Sequence, residues 1–205
     1  MKIELTGLGK RFNKTWIFRN LSFQFTTPNQ YAITGPNGSG KSTLLQIIAG
    51  TSTYNEGSVD YKNEETIIHH EHIFKNISLA APYLELVEEM TLTEFFLFHR
   101  NMKGWIDDKT DEDIISHLGL QQSSHKQLRY FSSGMKQRVK LAQAIFSNVP
   151  VIFLDEPATN LDEDGVSLYR SLIRDYCSTR LIIISSNDKI EYDFCDGKID
   201  MMNYK

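Results

Sequence analysis

An α/β fold built on a parallel-cored sheet is predicted by three observations along these 205 residues. Two continuous apolar runs, Val151-Ile152-Phe153-Leu154 and Leu181-Ile182-Ile183-Ile184, have the length and composition of strands covered on both faces. Stretches with helical spacing lie before and between them, so strand and helix alternate. The N-terminal part differs: Ile3-Glu4-Leu5 and Leu21-Ser22-Phe23-Gln24-Phe25 alternate apolar and polar residues, as half-buried antiparallel strands do. The expected class is therefore α/β with a mixed, parallel-cored sheet, an N-terminal antiparallel β subdomain and an inserted helical subdomain.

In chain order, Thr27-Pro28-Asn29 turns the N-terminal strands into Gln30-Tyr31-Ala32-Ile33-Thr34, a short β-prone segment. A helix follows through Thr43-Leu44-Leu45-Gln46-Ile47-Ile48-Ala49, with Gly50 as its C-cap. Gly57-Ser58-Val59-Asp60-Tyr61 and Ile77-Ser78-Leu79-Ala80 read as further strands, the second ended by Pro82. Thr91 and Glu94 have capping-box spacing at the head of Phe95-Phe96-Leu97-Phe98-His99-Arg100, and Gly104 stops that helix. Asp111 to Leu118 forms the next, acidic at its start as the helix dipole favours. In Ser133 to Phe146 the apolar positions Met135, Val139, Ala142 and Phe146 keep helical spacing, and Pro150 then introduces the first buried strand. A last helix from Asp162 to about Tyr176 leads to the second. One domain over 1–205 is expected, with the helical subdomain at roughly 85–148.

Composition is that of an ordinary globular protein: 40% hydrophobic, 23% charged, net charge −4. That balance gives no support for a nucleic-acid-binding protein. Met1 to Thr6 lacks the apolar run of a signal peptide, and no apolar stretch is long enough to span a bilayer, so a soluble chain is expected. Cys177 and Cys195 have no metal-like spacing and read as reduced, half-buried thiols of a cytosolic protein. His69-His70-Glu71-His72 reads as a surface connection rather than a metal site, since neighbours on a strand point to opposite faces.

The chemistry concentrates in Gly35-Pro36-Asn37-Gly38-Ser39-Gly40-Lys41-Ser42-Thr43, which matches G-x-x-x-x-G-K-[ST] in full. Its glycines let successive backbone N–H groups converge on one anion, and the helix that follows adds its positive end. Lys41 would lie along the β- and γ-phosphates of a nucleotide, with the Ser42 hydroxyl on Mg²⁺. Asp155 and Glu156 end the first buried strand, where open α/β sheets bind ligands. Asp155 can hold Mg²⁺ through water opposite Ser42, and Glu156 can polarise a water for in-line attack on the γ-phosphate. The expected ligands are a nucleoside triphosphate and Mg²⁺ on a P-loop NTPase fold.

With Phe131-Ser132-Ser133-Gly134-Met135 ahead of Lys136-Gln137-Arg138 and the Asp155-Glu156-Pro157 strand end, the chain resembles the ATPase subunits of the ATP-binding cassette (ABC) family over nearly its whole length. The resemblance implies two such domains sandwiching two ATP molecules head to tail, as a homodimer or heterodimer. Each would present the hydroxyl of Ser132 and the backbone at Gly134 to the γ-phosphate on the other subunit's loop, Gly134 being the small, permissive residue at a helix head. It implies that Phe12 stacks adenine, with Trp16 as competitor and core packing as the plain alternative. It also implies that Ala158 to Asp162 relays information between the two sites, and that Asn187 stands where the family has a switch histidine. A transmembrane permease subunit on a separate chain is the implied partner, no nucleic acid is expected, and the implied location is the cytoplasmic face of a membrane.

Two departures from the family pattern bear on turnover. Asn187 can hydrogen-bond a phosphate but cannot carry a proton or positive charge. No glutamine stands near Ala80-Ala81-Pro82, where the family has one that contacts Mg²⁺ and water. Phe95-Phe96-Leu97-Phe98 divides between subdomain core and a surface for the membrane partner. The expected function is an ATP-hydrolysing subunit of an ABC transporter. The alternatives are a soluble ABC ATPase with a cytosolic assembly task and a slow-turnover, ATP-gated dimerisation module.

Overall fold

The computed structural model describes residues 1–64 and 66–205. Strands β1 (Lys2–Phe12) and β2 (Thr15–Thr26) form a long antiparallel hairpin. β1 also pairs antiparallel with β4 (Glu56–Asn63), and β4 with the short β5 (Thr66–Ile68), giving the order β2-β1-β4-β5. Gly57 is required in this sheet. It has φ 84°, and a Cβ there would lie 2.3 Å from the Thr6 carbonyl oxygen, beside the break in register between Thr6 and Gly9.

The second sheet is parallel throughout, in the order β6-β7-β8-β3-β9. Its members are β3 (Gln30–Thr34), β6 (Ile77–Ala80), β7 (Val151–Asp155), β8 (Leu181–Ser185) and β9 (Gly197–Asp200). Every residue of β7 and β8 is buried, which is why both read as unbroken apolar runs. Side chains alternate between two cores. Ile152, Leu154, Ile182 and Ile184 face one side, with the helical part of the chain. Val151, Phe153, Leu181 and Ile183 face the other, with the N-terminal sheet and α1 (Lys41–Ile48).

The helices begin and end where local chemistry dictates. α1 ends at Ile48 with Ala49 as its C-cap, and Gly50 (φ 74°) is the left-handed residue one position beyond the cap, with the Thr51 N–H closing onto the Gln46 carbonyl at 2.9 Å. α2 (Leu92–Lys103) has the complete Thr91–Glu94 capping box and ends at Gly104. α3 (Asp111–His117) carries a second capping box, Thr110–Asp113, which the sequence reading missed. α4 (Ser133–Phe146) is capped by Ser132, and α5 (Glu163–Tyr176) by Asp162. The run Phe95 to Phe98 splits by helical period: Phe95 and Phe96 are buried, the latter edge-on to Trp105 at 5.6 Å, while Leu97 and Phe98 are 44% and 47% exposed. Burying Phe96 contributes about 2–3 kcal/mol, and Phe96→Ala at such a site costs about 3–5 kcal/mol.

Three sequence expectations are refined. Cys177 is fully buried rather than half-buried, and Cys195 is partly so; burial pushes the two thiols up, to about 11 and about 12. His70 to His72, read as a surface connection, are exposed and open a 3-10 helix, His70–Asn76, that buries Ile73. Strand β9 was not anticipated, because Ile199 is its one large apolar residue.

Candidate functional site

The loop between β3 and α1 is shaped by steric necessity. Gly35 (φ 141°) and Gly40 (φ 99°) occupy backbone regions that side chains avoid. A Cβ at residue 35 would meet Ser39 Oγ at 2.7 Å, and one at residue 40 would meet Ile17 Cγ2 at 2.5 Å. At Gly38 (φ 76°) there is open space, so there the backbone angle alone demands glycine. The Ser39 N–H donates to Pro36 O at 3.0 Å and the Leu44 N–H to Gly40 O at 2.9 Å, leaving the first amides of α1 without partners in the helix. Lys41 is buried, its Nζ donating to Pro36 O at 3.3 Å. Pro36 and Asn37 complete the turn, and a cavity of about 290 Å³ opens over Asn37, Gly38, Lys41, Ser42 and Thr43, walled by Ile17 and Glu156. Such a ring of unpaired amides around a buried ammonium is chemically an anion site.

Two strands away, β7 delivers Asp155 to the same end of the sheet. Its carboxyl is 2% exposed, and Oδ1 has no hydrogen-bond partner among the described residues. Burial pushes the Asp155 carboxyl up, the Ser185 and Ser42 hydroxyls draw it back, Glu156 pushes it up further and Lys41 draws it down. A buried carboxylate with a bare oxygen beside a hydroxyl is costly alone and suits a hard, oxygen-ligated cation, so Asp155 and Ser42 fit Mg²⁺. Glu156 is held at φ 44°, a left-handed conformation unusual for a side chain of this size, with its N–H donating to Ser185 O at 2.8 Å. This twist carries the chain off the strand and leaves Glu156 on the cavity wall.

Asn187 follows β8, and its Nδ2 donates to Asn37 Oδ1 at 3.0 Å, so it stands against the glycine-rich loop. The second candidate surface lies elsewhere. Ser132 Oγ accepts the Met135 N–H at 3.2 Å and caps α4, whose N-terminus borders a groove of about 700 Å³ lined by Ser132, Gly134, Arg138, Asn160 and Asp162. Gly134 needs no left-handed backbone; its requirement is close approach, since a Cβ would sit 3.1 Å from the Asn160 carbonyl oxygen. Gln137 Nε2 donates to Pro157 O at 2.8 Å and Arg138 pairs with Asp162 at 3.2 Å, tying α4 to the loop after Glu156. The groove and the cavity share no lining residue.

Phe12 is 54% exposed, which removes core packing as its role, and Lys10 Nζ lies 5.0 Å from its ring centroid. Trp16 is engaged by Arg19 at 4.6 Å and Arg11 at 5.5 Å. Three residues were missed in the sequence. Ile17 packs against Gly40; Tyr83, just past Pro82, has its hydroxyl pushed up by burial, lowered by Gln46 and raised by Asp155; Glu191 is a buried acid beside Ala158. An isolated Ile, Tyr or Glu carries no motif, so only the fold could reveal them.

A nucleotide-type loop, an acid pair at the end of the strand two places away and a capped helix facing a separate groove define an ATP-binding cassette. The family model for the ABC transporter matches residues 18–159, and the chain belongs to the ABC transporter ATP-binding family. It is 33% identical over 207 residues to the ABC transporter ATP-binding protein YybJ of Bacillus subtilis, covering 97% of this chain and 92% of that one. An ABC transporter ATP-binding protein from Pyrococcus furiosus shares the fold with TM-score 0.84 at 21% identity, each chain covered completely. The dimeric cassette MJ0796 does so with TM-score 0.76 at 20% identity, over 97% of this chain and 94% of that one. Family members bind ATP and are ATPases as a class. No helix among the described residues is long and apolar enough to cross a membrane.

Proposed function

We propose that this protein binds Mg·ATP, dimerises around it head to tail and hydrolyses it to drive a membrane subunit carried on a separate chain. The observation that carries the reading is the separation of two half-sites on one chain. The cavity over Lys41 and Glu156 has the parts for phosphate binding and water activation, while the groove at Ser132 and Gly134 presents helix amides and a hydroxyl with no phosphate loop of its own. A second copy, or a related cassette, supplies the missing half to each, and the dimeric neighbour supports that arrangement.

Within the site, Lys41 and the loop amides bind and orient the β- and γ-phosphates. Asp155 and Ser42 would hold Mg²⁺, which when bound supplies neutralisation of phosphate charge. Glu156 accepts a proton from the attacking water, its carboxylate aimed by the twisted backbone. Asn187 offers a neutral hydrogen bond where a cationic donor would stabilise developing charge more strongly, which favours slow turnover as a second reading. Exposed Leu97 and Phe98 on α2 form part of the surface proposed to meet the membrane subunit at the cytoplasmic face.

The test is calorimetry of Mg·ATP binding with wild type and Lys41→Ala, alongside phosphate release. The expected result is binding by wild type and a loss of at least about tenfold, or ~1.4 kcal/mol, in the variant, consistent with a charge-assisted contact. Equal affinity and equal turnover in the two proteins would overturn the nucleotide site.

A further inference from the structure

Glu191 is a buried acid to which the ATPase reading gives no task. It ends the 3-10 turn Lys189–Glu191 and is 5% exposed. Its Oε1 accepts the Ala158 N–H at 2.6 Å, its own N–H donates to Asp188 O at 3.1 Å, and its carbonyl accepts the Tyr169 hydroxyl at 2.7 Å. Burial pushes the carboxyl up, the Ser186 hydroxyl and the Ala158 amide draw it back, and Asp188 and Glu156 push it up again. An acid in so unfavourable a place is retained at a cost unless its oxygens are used.

Through its Oε1 and its backbone N–H, Glu191 touches two segments that bracket the site. Ala158 opens the stretch after Glu156-Pro157 that runs to Asp162 on the groove. Asp188, whose carbonyl accepts the Glu191 N–H and whose own N–H donates to Ser186 Oγ at 2.9 Å, directly follows Asn187, which contacts the phosphate loop. Tyr169 pins the turn to α5, so the carboxylate is fixed relative to both. We infer that Glu191 is a positioning residue that couples the 158–162 loop to the Asn187 turn, so that the cavity and the groove of one chain keep a single relative geometry. A carboxylate suits this because its Oε1 accepts the Ala158 amide, whereas an aliphatic side chain would leave that half-buried amide without a partner.

The inference rests on the proposed ATPase reading for its kinetic arm only. The full-length chain is prepared as wild type, Glu191→Gln and Glu191→Ala. Amide hydrogen exchange without nucleotide is the first readout: in Glu191→Ala, Ala158 and residues 186–188 should both exchange about tenfold faster or more while β7 and β8 stay protected, and Glu191→Gln should stay near wild type. Faster exchange at Ala158 alone, or a uniform rise over the whole chain, overturns the coupling.

Steady-state hydrolysis is the second readout: kcat should fall about tenfold in Glu191→Ala with KM for ATP unchanged, and recover in Glu191→Gln. An unchanged kcat in Glu191→Ala overturns the positioning role. Absence of turnover in wild type overturns the ATPase reading instead, while the exchange data still decide the role of Glu191.

Discussion

Gly40→Ala isolates what glycine does at the head of α1. Gly40 sits at φ 99°, so a Cβ there carries the left-handed penalty of about 1–2 kcal/mol. The same Cβ would also lie 2.5 Å from Ile17 Cγ2, where carbon pairs prefer about 3.5–4.0 Å. Ile17 is β-branched and cannot swing away freely, so relieving the clash costs about 1–3 kcal/mol more. The expected loss is about 3 kcal/mol, a fall in Tm of roughly 6–12 °C for a chain of this size. The two contributions separate in a double-mutant cycle: Ile17→Ala removes Cγ2, so in that background Gly40→Ala should cost only the backbone part, about 1–2 kcal/mol. Urea unfolding of the four proteins without nucleotide measures this. An identical cost in both backgrounds would refute the steric argument, and no cost in either would refute the backbone argument as well.

Glu156→Gln keeps size and hydrogen bonding but removes the base, so Mg·ATP should trap a dimer visible by light scattering; a variant that stays monomeric at high concentration counts against the head-to-tail arrangement. Asn187→His should raise kcat about tenfold, about 1.4 kcal/mol, with ATP affinity unchanged, and equal rates would mean that Asn187 does not act at the γ-phosphate. His99 is pushed down to about 4 by burial and by the Lys103 charge, in a site where it stacks on Trp105 at 5.0 Å. The fold holds it neutral, so its contribution is complete above the ordinary pKa of 6.5 and is lost as pH falls from there towards 4. Allowing for its partial exposure, the loss is on the order of 2 kcal/mol. Unfolding curves of wild type and His99→Gln between pH 7 and 4 should differ in slope, and parallel curves would contradict this.

The strands legible in the sequence were those whose burial is extreme or whose partner is adjacent. β7 and β8 are covered on both faces, so composition alone exposes them, and the β1–β2 hairpin alternates visibly. β9 is an edge strand with one large apolar residue, and its pairing with β3 depends on a crossover no local pattern encodes. The same division holds at the candidate site. Loop glycines, Lys41, Asp155 and Glu156 announce themselves by spacing. The contact of Asn187 with Asn37 spans 150 residues, and that of Ile17 with Gly40 joins two subdomains, so both exist only once the sheet order is known. Gly134 was read correctly as small but for a different reason: the constraint is the approach of Asn160, not backbone freedom.

Strand β8 has a consequence for the order in which competence arises during synthesis. It lies between β7 and β3, its Ser185 carbonyl accepts the Glu156 N–H, and the Ser186 N–H reaches Ile33 O at 3.1 Å. The phosphate loop leaves the ribosome within the first quarter of the chain, yet its sheet is incomplete until residues 181–200 have emerged and inserted between and beside strands made long before. A nascent chain ending at Tyr176 therefore holds the whole glycine-rich motif and should still fail to retain an ATP analogue. On the proposed function, nucleotide capture would then depend on a finished sheet rather than on the glycine-rich loop alone.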